Sequence, residues 1–143
     1  MAGEDWLYQV RPSVLVASTK AVRFRDINCD YTIDQNDITV DDHAAIQHRI
    51  RHLLSTPLGS EIFEPNFGSN LPYRIMDPIT PTTGFILETD TIVAIAKWMS
   101  SEITIGANVR IEPLEVDDGY LITIPYYTND NGTGAVYSFE ALR

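Results

Sequence analysis

The chain has 143 residues, about the size of one ordinary domain, and its 44% hydrophobic and 21% charged residues exclude disordered, collagen-like and low-complexity material. Twenty acidic residues against ten basic ones leave a net charge of −10, which opposes binding to nucleic-acid backbones and favours a basic partner. No apolar run is long enough for a membrane span, and the opening Met1-Ala2-Gly3-Glu4-Asp5 does not read as a secretory signal. Cys29 is the one cysteine, so no intrachain disulfide forms and nothing calls for an oxidising compartment.

Three stretches follow one another. Residues 1–40 read as an irregular N-terminal extension. Within it Val22-Arg23-Phe24-Arg25 alternates as a strand does, and 26–37 is a polar, turn-rich loop. Residues 41–143 read as one α+β domain. Asp41 and Asp42 stand where an N-cap and a first-turn acid belong, and Ile46, Ile50, Leu53 and Leu54 recur as one helix face, stopped by Pro57 and Gly59. Five of the eight prolines fall between Pro57 and Pro81, so this segment is a loop with room for a short helix over 70–76. A second helix is expected from Thr82 or Phe85 to Ser100, with a stripe of Ile86, Thr89, Ile92, Val93, Ala96 and Met99, flanked by Leu87, Ile95 and Trp98. Alternation over 108–116 and 119–127 predicts two strands joined at Asp117-Asp118-Gly119, and 135–142 reads as a third strand or an arm. The fold class is therefore two main helices packed on a small antiparallel meander.

The polar clusters give little catalytic chemistry. Asp26, Asn28, Asp30, Thr32, Asp34 and Asp37 match the ligand spacing of a calcium loop, but Tyr31 stands where the sharp turn wants Gly, and Asp37 is shorter than the closing Glu. His43, His48 and His52 lie on the first helix, and His48 and His52 share a face at the spacing that chelates zinc. Arg49 occupies the place of the general-base Glu of a zinc protease. Cys29 has no matched His, Ser60 lacks the glycines of a nucleophile elbow, and Gly132 and Gly134 have no following helix or Lys. Glu61 and Glu64 flank Ile62 and Phe63 and are the candidate carboxylate pair of a glycosidase, with nothing in the spacing to fix their separation. Trp98 sits among aliphatics as core residues do. Tyr126, Tyr127 and Tyr137 read equally as cross-strand pairs or an interface patch. No catalytic residue, cofactor site or metal site is assigned.

Residues 50–71, Ile-Arg-His-Leu-Leu-Ser-Thr-Pro-Leu-Gly-Ser-Glu-Ile-Phe-Glu-Pro-Asn-Phe-Gly-Ser-Asn-Leu, are more specific. Thr56, Gly59, Pro65, Phe67, Gly68 and Leu71 stand in the order and spacing that resemble the small baseplate wedge proteins, or sheath initiators, of contractile-tailed phages. Relatives of that family occur in phage-tail-like bacteriocins and in type VI secretion baseplates, where one subunit is called lysozyme-like. The resemblance covers residues 41–128 and implies a structural protein, not an enzyme. It implies a place in the virion, in the tail baseplate assembled in the host cytoplasm, with several copies around the tail axis. Implied partners are the tail sheath protein, larger baseplate wedge proteins, and the tail tube or neighbouring baseplate proteins, the last for residues 1–40, with neither nucleic acid nor membrane. The implied mechanism is addition of sheath strands to a free sheet edge. On that reading the partner-binding residues are Glu102, Val109, Arg110, Ile111, Leu121, Ile122 and Tyr126. Relatives carry Glu-Pro-Arg where this chain reads Glu102-Ile103-Thr104, so the Arg is lost, and Arg110 is its candidate substitute. The other readings are a cell-wall glycosidase using Glu61 or Glu64, a calcium-binding module over 26–37, and an intracellular regulator sharing only the fold.

Overall fold

The computed structural model describes residues 25–27, 39–106, 108–114 and 118–143. The chain divides into two compact units between Ala45 and Ile46. In the first, β1 (Arg25–Ile27) pairs antiparallel with β2 (Thr39–Asp41), with Asp26 opposite Val40. The first residue of the expected calcium loop is thus in a strand. Its remaining five candidate ligands, Cys29, and residues 22–24 of the expected strand lie outside the described residues.

Three helices and four strands build the second unit, an α+β fold. Helix α1 (His43–Ser55) begins directly after Asp42, whose φ of 54° closes a turn. Asp41 ends β2, two residues before the helix starts. Ile46, Ile50, Leu53 and Leu54 form the buried face of α1 as their spacing predicts. Helix α2 is the single turn Leu71–Arg74. Helix α3 (Pro81–Trp98) starts earlier than the apolar pattern suggests, because Thr80 caps it: its hydroxyl accepts from the Thr83 N–H at 3.1 Å, and Pro81 fills the first turn.

The expected stripe of α3 is not its core face. Thr83, Leu87, Thr91, Ala94 and Ile95 are buried, with Met99 just beyond, while Thr89, Ile92, Val93 and Ala96 point to solvent. Apolar residues surround this helix, so their spacing selects no face. Two threonines then occupy the buried side.

Strands β3 (Ile103–Ile105), β4 (Arg110–Leu114), β5 (Gly119–Thr128) and β6 (Gly134–Leu142) form one antiparallel sheet with β5 in the middle. β6 lies along one side of β5, while β3 and β4 share the other. β3 was not singled out in the sequence. Along β5, Tyr120, Ile122, Ile124, Tyr126 and Thr128 are buried at every second position, and α3 packs over β3 and β4.

The Pro- and Gly-rich segment is a closed loop, 57–69. The Ser69 N–H donates to the Thr56 carbonyl at 2.9 Å, the Leu58 N–H to the Ser69 carbonyl at 3.1 Å, and the Ser69 hydroxyl to the Leu54 carbonyl at 2.8 Å. These bonds bring the two ends of the loop together at the close of α1. Gly68 makes that approach possible. Its φ is +109°, and a Cβ there would lie 2.4 Å from the Thr56 carbonyl oxygen.

Gly68→Ala should therefore destabilise the fold by about 2–4 kcal/mol, since backbone strain and a clash with fixed backbone combine. Gly59→Ala, at φ +88° with open space around its Cβ position, should cost only about 1 kcal/mol. Urea unfolding of the two variants checks the order.

Burial pushes the Tyr126 phenol above its ordinary pKa of 10.0, and a hydrogen bond with the Gln47 side chain opposes the shift in part. Ionisation is then harder in the folded chain than in the unfolded one. The resulting stability is whole below pH 10 and is lost as pH rises beyond it. Urea midpoints measured at about pH 9 and about pH 11 should fall further for the wild type than for Tyr126→Phe.

Candidate partner interface

Two backbone bonds fix the phase of the β5–β6 ladder. The Arg143 N–H donates to the Asp118 carbonyl at 3.2 Å, and the Thr128 N–H to the Thr133 carbonyl at 3.1 Å. Antiparallel pairs alternate between bonded and non-bonded, so Tyr120↔Ala141, Ile122↔Phe139, Ile124↔Tyr137 and Tyr126↔Ala135 are the bonded pairs. The intervening residues of β6, namely Gly134, Val136, Ser138, Glu140 and Leu142, turn their N–H and C=O groups away from β5. All five are exposed, and β5 is the one strand that pairs with β6 among the described residues. This is a nine-residue strand with an open edge and no proline.

The opposite edge is blunted twice. By the same phase Ile111 and Pro113 of β4 point their backbone outward, and Pro113 brings no N–H. The edge is also broken between β3, whose Ile105 pairs with Tyr126, and β4, whose Arg110 pairs with Thr123. Asn108 takes a φ of 81° in that break, and the Gly106 N–H donates to the Pro125 carbonyl at 2.8 Å. The break also explains how Pro125 fits a central strand: its nitrogen faces the interrupted ladder.

Beside the sheet a cleft of about 240 Å³ opens between α1, loop 57–69 and the end of α3. The Phe67 ring sits 5.5 Å from His52 and 5.3 Å from Trp98, edge-on to the latter, and Lys97 Nζ lies 5.2 Å from the Trp98 centroid. Arg49 Nη1 donates to Glu102 Oε1 across the cleft. Glu102 Oε2 and Trp98 Nε1 are buried with no hydrogen-bond partner. The cleft thus has an aromatic wall, and two of its lining residues, Trp98 and Glu102, each carry a buried polar atom without a partner.

The seven residues named as partner-binding are scattered by this fold. Glu102 lines the cleft, and its cation is Arg49 of α1. Arg110 is exposed on the outer face of β4, and Ile111 lines a second cleft of about 530 Å³ with Phe85 and Tyr120. Val109, Ile122 and Tyr126 have buried side chains, and Leu121 is half-buried. β5 is paired on both sides, so Leu121, Ile122 and Tyr126 have no backbone edge to offer. The free edge belongs to 134–142, the run read as a third strand or an arm. The spacing of Pro113 and Pro125 against a proline-free 134–142 was the signal that could have located it.

Of the motif residues, Thr56 donates its hydroxyl to the His52 carbonyl at 2.7 Å, Leu71 is buried, and Phe67 packs against both long helices. Gly59, Pro65 and Gly68 shape the loop. Glu61 and Glu64 are exposed on it, and neither lines either cleft. His52 faces Phe67. Among the described residues no group of three or more His, Cys, Asp or Glu is placed to hold a metal ion, and no helix is long and apolar enough to cross a membrane.

No family model and no curated protein matches the chain. Solved structures do. A provisionally named tail lysozyme from Geobacter sulfurreducens superposes with a TM-score of 0.61 at 26% identity, over 68% of this chain and 86% of that one. The baseplate of pyocin R2 after contraction gives a TM-score of 0.48 at 16% identity, over 78% of this chain and 95% of that one.

Arg49→Met should lower stability by about 1–2 kcal/mol, because the half-buried Glu102 carboxylate loses its cation. Adding Glu102→Leu should restore much of that loss, since the paired apolar groups then need no partner. Thermal unfolding of the single and double variants decides it.

Proposed function

We propose that this chain is a structural component of a contractile-tail baseplate, and that it connects the wedge to the first sheath ring by accepting a sheath strand at β6. The open, proline-free edge of β6 carries the reading. Main-chain pairing along Gly134, Val136, Ser138, Glu140 and Leu142 would supply affinity, and their exposed side chains would set register. The motif from Thr56 to Leu71 and the likeness to a tail protein from Geobacter sulfurreducens support a tail setting. Sheath strands would thus add at β6 and not at the strands 108–116 and 119–127.

Glu102 belongs to the same proposal. With Oε1 held by Arg49, Oε2 remains for a donor from a larger baseplate wedge protein reaching into the aromatic cleft. Several copies would be set around the tail axis by such partners, in the virion after assembly in the host cytoplasm. The role is structural, not enzymatic. A glycosidase needs one carboxyl group kept protonated by apolar surroundings, and Glu61 and Glu64 stand in solvent.

Ser138→Pro tests the reading directly. Ser138 sits at a non-bonded pair with Thr123, so proline removes an outward N–H and leaves the β5 ladder intact. The expected result is a folded protein with an unfolding temperature within a few degrees of wild type that joins baseplates made from neighbouring genes. Its rate of sheath addition should fall by at least about tenfold, since a lost main-chain bond and the ring's clash exceed about 1.4 kcal/mol. Wild-type sheath growth on the folded variant would overturn the β6 mechanism.

A further inference from the structure

Loop 57–69 ends in an apolar tip that the fold leaves uncovered. Phe63 is 98% exposed and Ile62 is 87% exposed, the two highest values among the large apolar side chains of the described residues. Single exposed apolar residues are ordinary on a protein surface. Here two are adjacent, and Glu61 and Glu64 bracket them, both exposed.

The base of the loop is held firmly. Besides the bonds between Thr56, Leu58 and Ser69, the Ser60 N–H donates to the Pro57 carbonyl at 3.1 Å and the Phe67 N–H to the Glu64 carbonyl at 2.8 Å. The Tyr73 hydroxyl donates to the Leu58 carbonyl at 3.3 Å, and Lys97 Nζ to the Asn66 carbonyl at 3.4 Å. Phe67 anchors the return strand of the loop between His52 and Trp98. The tip therefore projects from a pre-ordered frame, and docking it orders little further chain.

We infer that the Ile62–Phe63 tip is a second docking element, distinct from β6 and from the Glu102 cleft, which inserts into an apolar socket rimmed by Lys or Arg on a larger baseplate protein. This rests on the baseplate reading above. Charge selects the occupant. Two glutamates beside an aromatic plug match a basic rim and repel anionic lipid and nucleic acid. A second copy of this chain is a poor host, because a net charge of −10 sets like charge against like.

The test measures incorporation of the full chain into baseplates assembled from the larger baseplate proteins of the same genome, with sheath addition read separately. Phe63→Ser should fold as wild type does, since its ring touches solvent almost everywhere, and should lower incorporation affinity by at least about thirtyfold. Glu61→Gln with Glu64→Gln should weaken incorporation several-fold at low salt and flatten its salt dependence. Ser138→Pro should incorporate normally and fail only in sheath addition. Wild-type incorporation by Phe63→Ser overturns the inference and leaves the baseplate reading standing. A salt dependence unchanged in the double glutamine variant overturns the basic rim. If the wild-type chain joins no baseplate, both the reading and this inference fall.

Discussion

The double-sided pairing of β5 is the constraint on which the rest of the sheet depends. Its buried row from Tyr120 to Thr128 faces the core at every second residue, and its backbone bonds are shared between β6 on one side and β3 with β4 on the other. One phase then settles everything outside it. Pro125 is acceptable because its nitrogen meets the break between β3 and β4. Pro113 is acceptable because its nitrogen faces outward. Among the described residues the same phase leaves a single uninterrupted edge, on β6. A shift of one residue in the register would turn Tyr120, Ile122 and Ile124 to solvent, so the core and the open edge are fixed together.

The second fixed point is the closure of loop 57–69. It begins where α1 ends, and Thr56, Ser69 and Leu54 tie its base with backbone and hydroxyl bonds. Gly68 is the residue that lets the strands of the loop pass so close. The loop delivers Phe67 inward, onto rings from α1 and α3, and Ile62 with Phe63 outward. One short segment thus joins the two long helices and also presents the most exposed large apolar side chains among the described residues.

Much of this was legible in the sequence, and the misses have physical causes. α1 could be read because its apolar residues occupy one face. The two strands that meet at Asp118-Gly119 could be read because alternation and the turn signal agree, while 135–142 read as a third strand or an arm. α3 was found, but its buried side was misjudged, since apolar residues ring the helix and Thr83 and Thr91 occupy core positions. β3 is three residues long, too short for alternation to show. The free edge was not legible for a topological reason: Ile122 and Tyr126 alternate as edge-strand residues would, and nothing local tells that their strand is central. The pairing of Arg49 with Glu102 spans 53 residues, and no local pattern announces it.

That pair also bears on how the chain departs from the family it resembles. Where relatives carry Glu-Pro-Arg, this chain has Ile103 and Thr104 after Glu102. Thr104 is exposed on β3, where its hydroxyl donates to Asn129 Oδ1 at 2.6 Å, and Ile103 is buried. The cation beside Glu102 comes instead from α1, one turn before the His52 that touches Phe67. A carboxylate held by a cation of its own chain is partly desolvated in advance, and its second oxygen is buried without a partner. A partner side chain reaching Glu102 would then complete a pair that the fold has half-formed, and would do so against a wall built by the same loop that projects Ile62 and Phe63.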